Sequence, residues 1–186
     1  MKKLLFALLF IPFVSFGQDY SKETKLYGDF YFNMPTKTAI KIFKENKKKY
    51  QNIDLGTGLS FWMFNKPLAS SFVSFKKRKT LASVILFAKK PYSNEVTSNL
   101  INSLKEYFES KKYKVISKQT HWDTPVFYDN TQYGILLESF DNKTIIELKL
   151  AKACETCDTG INIIINSKKV LMSTINKNKK EDNSDF

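Results

Sequence analysis

Two cysteines, one histidine and two concentrations of basic side chains are the residues here whose types and spacing could do chemistry. Cys154 and Cys157 stand as Cys-Glu-Thr-Cys, and three chemistries compete for that spacing. In an oxidising compartment a close pair forms a local disulfide that pins a turn, with little entropic stabilisation because the loop is so short. A thiol–disulfide redox centre needs the pair to open a helix after a strand. This pair instead follows a strand-like run and precedes Asp158-Thr159-Gly160. A zinc site needs more thiolate or imidazole ligands than two cysteines and one histidine can give. The structural disulfide is the leading reading, and the redox centre is its alternative.

His121 with Asp123 offers a general base and an orienter, as a hydrolase would need. No Gly-x-Ser-x-Gly elbow supplies the matching nucleophile, and His121-Trp122-Asp123 reads more simply as a turn whose tryptophan packs at the core edge. No Asp-x-Asp-x-Asp-Gly loop or His-Glu-x-x-His pattern occurs. Gly56-Thr57-Gly58 precedes a strand-like run, where a phosphate-cradling loop would precede a helix. The sequence therefore predicts no catalytic residue, no metal and no cofactor.

The basic residues are more suggestive. The chain holds 30 Lys and Arg against 18 Asp and Glu, a net charge of +12. Lys41, Lys44, Lys48 and Lys49 share one face of a predicted helix, and Lys76, Lys77, Arg78 and Lys79 fill a predicted hairpin connection. Such groups can dock on an anionic surface or clamp phosphates and sulfates. They serve equally well as a solvated face and a tight turn with no partner. No Arg-rich face accompanies the lysines, so nucleic acid is not the expected partner. Sixteen Phe, nine Tyr and two Trp could stack sugars, but most Phe fall at core-packing periods.

The elements that must position these groups read as follows. Residues 1–17 form a signal peptide: Lys2 and Lys3, an apolar run, then small Ser15 and Gly17. Cleavage there leaves 169 residues with a net charge of +10, enough for one domain. Export to the periplasm or cell surface is expected, with peripheral membrane contact compatible with the charge. Residues 18–25 are a polar lead-in, 26–175 a single domain and 176–186 a disordered tail without apolar periodicity.

Val96, Leu100, Ile101, Leu104, Tyr107 and Phe108 mark one stripe of a helix over 93–112, started at Ser93 and ended near Lys111 and Lys112. Ala39, Ile40, Phe43 and Tyr50 mark another helix after Met34-Pro35-Thr36. Strands are predicted over 26–32, 59–64, 69–75, 81–88, 113–118, 133–140, 144–153 and 161–166. In the strand over 81–88, Leu81, Ser83, Ile85 and Phe87 share one face. In the strand over 144–153, Ile146, Leu148 and Leu150 face the core, with Ile145, Glu147, Lys149 and Ala151 opposite. The result is an α+β fold, a mostly antiparallel sheet with two helices on it. The order also suggests two diverged strand–helix–meander units.

The Asn33-Met34-Pro35-Thr36-Lys37 helix entry, the meander after it, and the 113–133 region with Trp122 and Pro125 resemble small exported α+β envelope proteins. The architecture is similar to β-lactamase-inhibitor-like and outer-membrane-assembly lipoprotein folds over residues 26–153. The acylated cysteine of the assembly lipoproteins is missing. The resemblance implies a non-catalytic binding or scaffolding module whose partner is an envelope protein or an anionic envelope polymer.

Overall fold

The computed structural model describes residues 20–66, 69–90, 92, 94–118, 133–152 and 159–171. The predicted signal peptide, the helix start at Ser93, the His121 region, Cys154, Cys157 and the 176–186 tail lie outside them. What is described is an α+β fold built on one large antiparallel sheet. Its strands are β3 (Ile53–Asp54), β4 (Ser60–Trp62), β7 (Phe72–Ser74), β8 (Leu81–Ala88), β9 (Tyr113–Lys118), β10 (Tyr133–Ser139), β11 (Thr144–Lys152) and β12 (Thr159–Ser167). The spatial order is β3-β4-β8-β12-β11-β10-β9, and β7 pairs with β8 beside β4. Each half is a helix followed by a meander, and the last strand of each half meets the other in the β8–β12 pair.

Branched side chains stack across that pair because register places like with like. Ile146 faces Ile165 and Leu148 faces Ile163; Ile163 then faces Leu86 and Ile165 faces Val84. Against this surface α3 (Asn94–Ser110) buries Ile101, Leu104 and Phe108. Each such side chain gives about 1.5–3 kcal/mol on burial. Val96, counted in the same stripe, is 44% exposed. Lys111 and Lys112 fall past the end of α3, where Lys112 takes φ 64 in the left-handed position that closes a helix.

Four strand assignments change. The run over 26–32 is a tight hairpin, β1 (Lys25–Tyr27) and β2 (Phe30–Tyr31), off the main sheet. Gly28 makes it possible: its φ is +54, and a Cβ there would come within 3.0 Å of the Tyr50 hydroxyl. The run over 69–75 divides: β6 (Ala69–Ser70) pairs with β5 (Asn65–Lys66) in a small arm off the main sheet, and only β7 joins β8. Leu81 leaves the face it should share with Ser83, because Ser74 pairs with Leu81 across a bulge and Leu81 joins the core. β12 starts at Thr159, so Thr159 and Gly160 are paired strand residues opposite Lys152 and Ala151.

The first helix also differs. α1 (Thr36–Glu45) ends where Asn46 takes φ −113, and α2 (Lys47–Tyr50) follows. The Ile42 carbonyl accepts from both the Asn46 backbone N–H at 3.0 Å and the Asn46 side-chain amide at 3.1 Å, closing the helix end. The separate turn swings Tyr50 inward, leaving it 1% exposed against Phe30.

The polar face of β11 is not open. Ile145 is 1% and Glu147 9% exposed. Ser83 donates to Asn166 Oδ1 at 2.5 Å, and the Asn166 amide donates to Glu147. Lys149 lies 3.6 Å from the same carboxylate. A buried polar row is tolerable only when its members satisfy one another.

Candidate functional site

Antiparallel alternation brings chain segments far apart in sequence to one end of the sheet. The loop between β7 and β8, the turn between β10 and β11, and the helical turn over residues 168–171 after β12 all emerge there. The lead-in at Lys22–Thr24 and the Phe32–Asn33 corner complete the rim. Three cavities open at this end, and two of them are basic. One, of about 530 Å³, is lined by residues including Lys22, Glu23, Thr24, Asn142, Lys143, Ser167 and Lys168. The other, of about 460 Å³, is lined by Phe75, Lys76, Lys77, Arg78 and Val170. Both are also lined by Phe32, Asn33 and Lys169, so they adjoin as one cleft, and each volume is in the range of ligand pockets. The third, of about 440 Å³, shares Glu23, Thr24 and Lys143 with the first of these and adds Lys25 and Asp141.

The cleft is strongly basic. Glu23 is the one acidic residue among its lining residues. Lys168 pairs with Glu138, and Lys143 lies 3.9 Å from Asp141. Among the described residues, no carboxylate lies within 4 Å of Lys22, Lys76, Lys77, Arg78 or Lys169. Cations gathered without internal counterions repel one another and attract anions. The floor is aromatic: Phe32 and Phe75 meet edge to face at 6.1 Å, and the Arg78 guanidinium lies 5.9 Å over the Phe75 ring.

The loop presenting Lys76, Lys77 and Arg78 is firmly held. Phe75 N–H donates to the Thr80 carbonyl at 2.9 Å, and Lys79 N–H donates back to Phe75 at 2.8 Å. The Lys79 carbonyl accepts from the Thr36 N–H and hydroxyl, both at 2.9 Å. Lys79 has φ 54 and does not line the cleft, so it shapes the loop. Lys41, Lys44 and Lys48 are exposed on the α1–α2 segment, but they line neither cavity, and Lys41 pairs weakly with Glu45 at 3.9 Å. The structure thus unites one predicted basic group with Lys22, Lys143 and Lys169, and leaves the other apart. Sequence reasoning missed those three because nothing local marks them; only strand order brings them together.

A second charged cluster sits at the β1–β2 turn. Tyr50 donates its hydroxyl to Asp29 Oδ2 at 2.5 Å, and Lys49 Nζ lies 2.8 Å from the same oxygen. The hydrogen bonds from Lys49 and then Tyr50 hold the Asp29 carboxyl below its ordinary pKa. Burial pushes the Tyr50 phenol up. These groups satisfy each other and tie the hairpin to α2. Among the described residues, no group of three or more His, Cys, Asp or Glu could hold a metal. No described helix is long and apolar enough to cross a membrane.

Comparison with protein-family models, curated proteins and solved structures found no match to this chain.

Proposed function

We propose that this is an exported, non-catalytic binding protein of the cell envelope that holds an anionic envelope polymer in the basic cleft. The observation behind this reading is the convergence of Lys22, Lys76, Lys77, Arg78 and Lys169, none with a carboxylate within reach among the described residues, on adjoining cavities. Side chains that lie well separated on a surface cost nothing to charge; five brought together repel until a partner supplies the opposite sign. The signal-peptide pattern of residues 1–17 supports the envelope location, and the architectural resemblance to envelope binding modules belongs to the same proposal.

The test is retention of the purified protein on immobilised polygalacturonate and dextran sulfate at low salt. Binding that weakens steadily with added salt, and that is lost in the Lys76→Glu, Lys77→Glu double variant, is the expected result. No retention at low salt, or retention indifferent to both salt and the double variant, would overturn it.

A further inference from the structure

We infer that the cleft takes an acidic glycan, a hydroxyl-rich chain with repeating negative charges, threaded through both cavities. This deepens the anionic-polymer reading and rests on it. Three features of the cleft carry the inference.

The first is continuity. The two cavities adjoin at Phe32, Asn33 and Lys169, with Lys22 and Lys143 in one and Lys76 and Lys77 in the other. Cations in both compartments call for a ligand long enough to place charges in each. The second is the type of cation. Lysine ammonium is a rotatable point charge, whereas the planar guanidinium suits bidentate capture of a single phosphate or carboxylate. Lysines dominate here, and the one arginine is laid over Phe75. That set suits charge spread along a chain.

The third feature separates a glycan from other polyanions. Base stacking needs open aromatic faces. Phe32 is 8% exposed, and Arg78 already lies over Phe75. What the cleft offers beside its charges is uncharged hydrogen-bonding capacity. The side-chain amides of Asn33 and Asn142 make no hydrogen bond among the described residues, though each residue's backbone N–H is used. Each amide can donate and accept, as sugar hydroxyls require. Both asparagines adopt left-handed backbone, φ 63 and φ 57, a conformation that asparagine tolerates better than most residues. A phosphate chain, which carries no donor, can use only the N–H side of these amides, whereas sugar hydroxyls use both sides.

The experiment measures affinities of the purified protein for galacturonate, for oligogalacturonates of increasing length, for inorganic polyphosphate and for a single-stranded DNA oligonucleotide, at one ionic strength. Affinity should rise by about 100-fold or more between oligomers that fill one cavity and those that reach the second, since the second contact becomes intramolecular. The Lys22→Ala, Lys143→Ala variant should flatten that rise, weakening the longest oligomers most. Asn33→Gly with Asn142→Gly removes both amides and keeps the left-handed turns. It should weaken oligogalacturonate by about tenfold and polyphosphate clearly less, since phosphate can use only the donor half of each amide.

A smooth length dependence without a step would overturn the two-cavity chain. Polyphosphate or DNA binding as tightly as the longest oligogalacturonate, with the asparagine variant affecting all three alike, would overturn the glycan. If none of the polyanions binds, the anionic-polymer reading itself fails, and the inference falls with it.

Discussion

At the β1–β2 turn, charge is used up within the chain: Lys49 lies 2.8 Å from Asp29, which also accepts the Tyr50 hydroxyl. At the β7–β8 loop, Lys76, Lys77 and Arg78 find no such partner among the described residues. Both places join a tight turn to aromatic rings beneath it. They differ in whether the opposite charge comes from the protein. Where it does, the groups hold two elements together. Where it does not, a firmly built loop presents cations to a cavity.

Substitutions can break or sharpen that contrast. The largest expected effect is Tyr50→Ala, which removes a ring packed 4.8 Å from Phe30 and within 6.4 Å of Phe43. Denaturant unfolding should show a loss of about 3–5 kcal/mol. Tyr50→Phe, which keeps the ring and loses the bond to the Asp29 carboxylate and the long one accepted from the Asp29 N–H, should cost about 1–2 kcal/mol. If the two cost the same, the ring would not anchor the hairpin.

Charge reversal in the cleft comes next and should act on binding alone. Lys76→Glu with Lys77→Glu should lower polyanion affinity by about 10- to 100-fold at low salt, with unfolding midpoints moved by less than about 0.5 kcal/mol. A large stability loss instead would make the loop a structural element like the first turn.

Acid provides the third test. The Asp29 pKa is depressed in the folded protein. Its contribution is therefore fully present above the unfolded carboxylate pKa and lost as pH falls through the folded value. Asp29→Asn should lower stability by less than about 1 kcal/mol near neutrality, because the ion pair is half exposed. The variant and the parent should converge below about pH 4. Parallel curves down to lower pH would show that the carboxylate charge contributes nothing.

The smallest effect belongs to Lys79→Gly. Relief of the left-handed backbone and the greater freedom of glycine in the unfolded chain nearly cancel, so stability should shift by no more than about 0.5 kcal/mol. Polyanion binding should stay the same, because Lys79 does not line the cleft. Loss of binding in this variant would extend the site to the whole loop.

Periodicity made much of this fold legible. The helix stripe at Ile101, Leu104 and Phe108 and the alternation of Ile146 and Leu148 are imposed by one buried surface each, and local sequence reports that directly. The strand over 26–32 was misread because its aromatic alternation continues through Gly28, and only the φ of that glycine turns it into a hairpin. The face of β11 bearing Glu147 reads in the sequence only as the side opposite the core, because the Asn166 amide that satisfies Glu147, itself bonded by Ser83, comes from a strand distant in sequence. The cleft was half legible for the same reason. Lys76, Lys77 and Arg78 announce themselves as a run, whereas Lys22, Lys143 and Lys169 join them only through strand order.

The β8–β12 pair has a consequence for how the chain reaches this shape. Ser83 and Asn166 stand 83 positions apart, and the strand that fills the gap between β8 and β11 is the last of the sheet to be made. Until β12 arrives, two long apolar strands present bare edges that invite pairing with other chains. Closure of so distant a pair is entropically slow, which places this protein among topologies that fold late. A chain that cannot complete its sheet early needs protection from aggregation until β12 has been made.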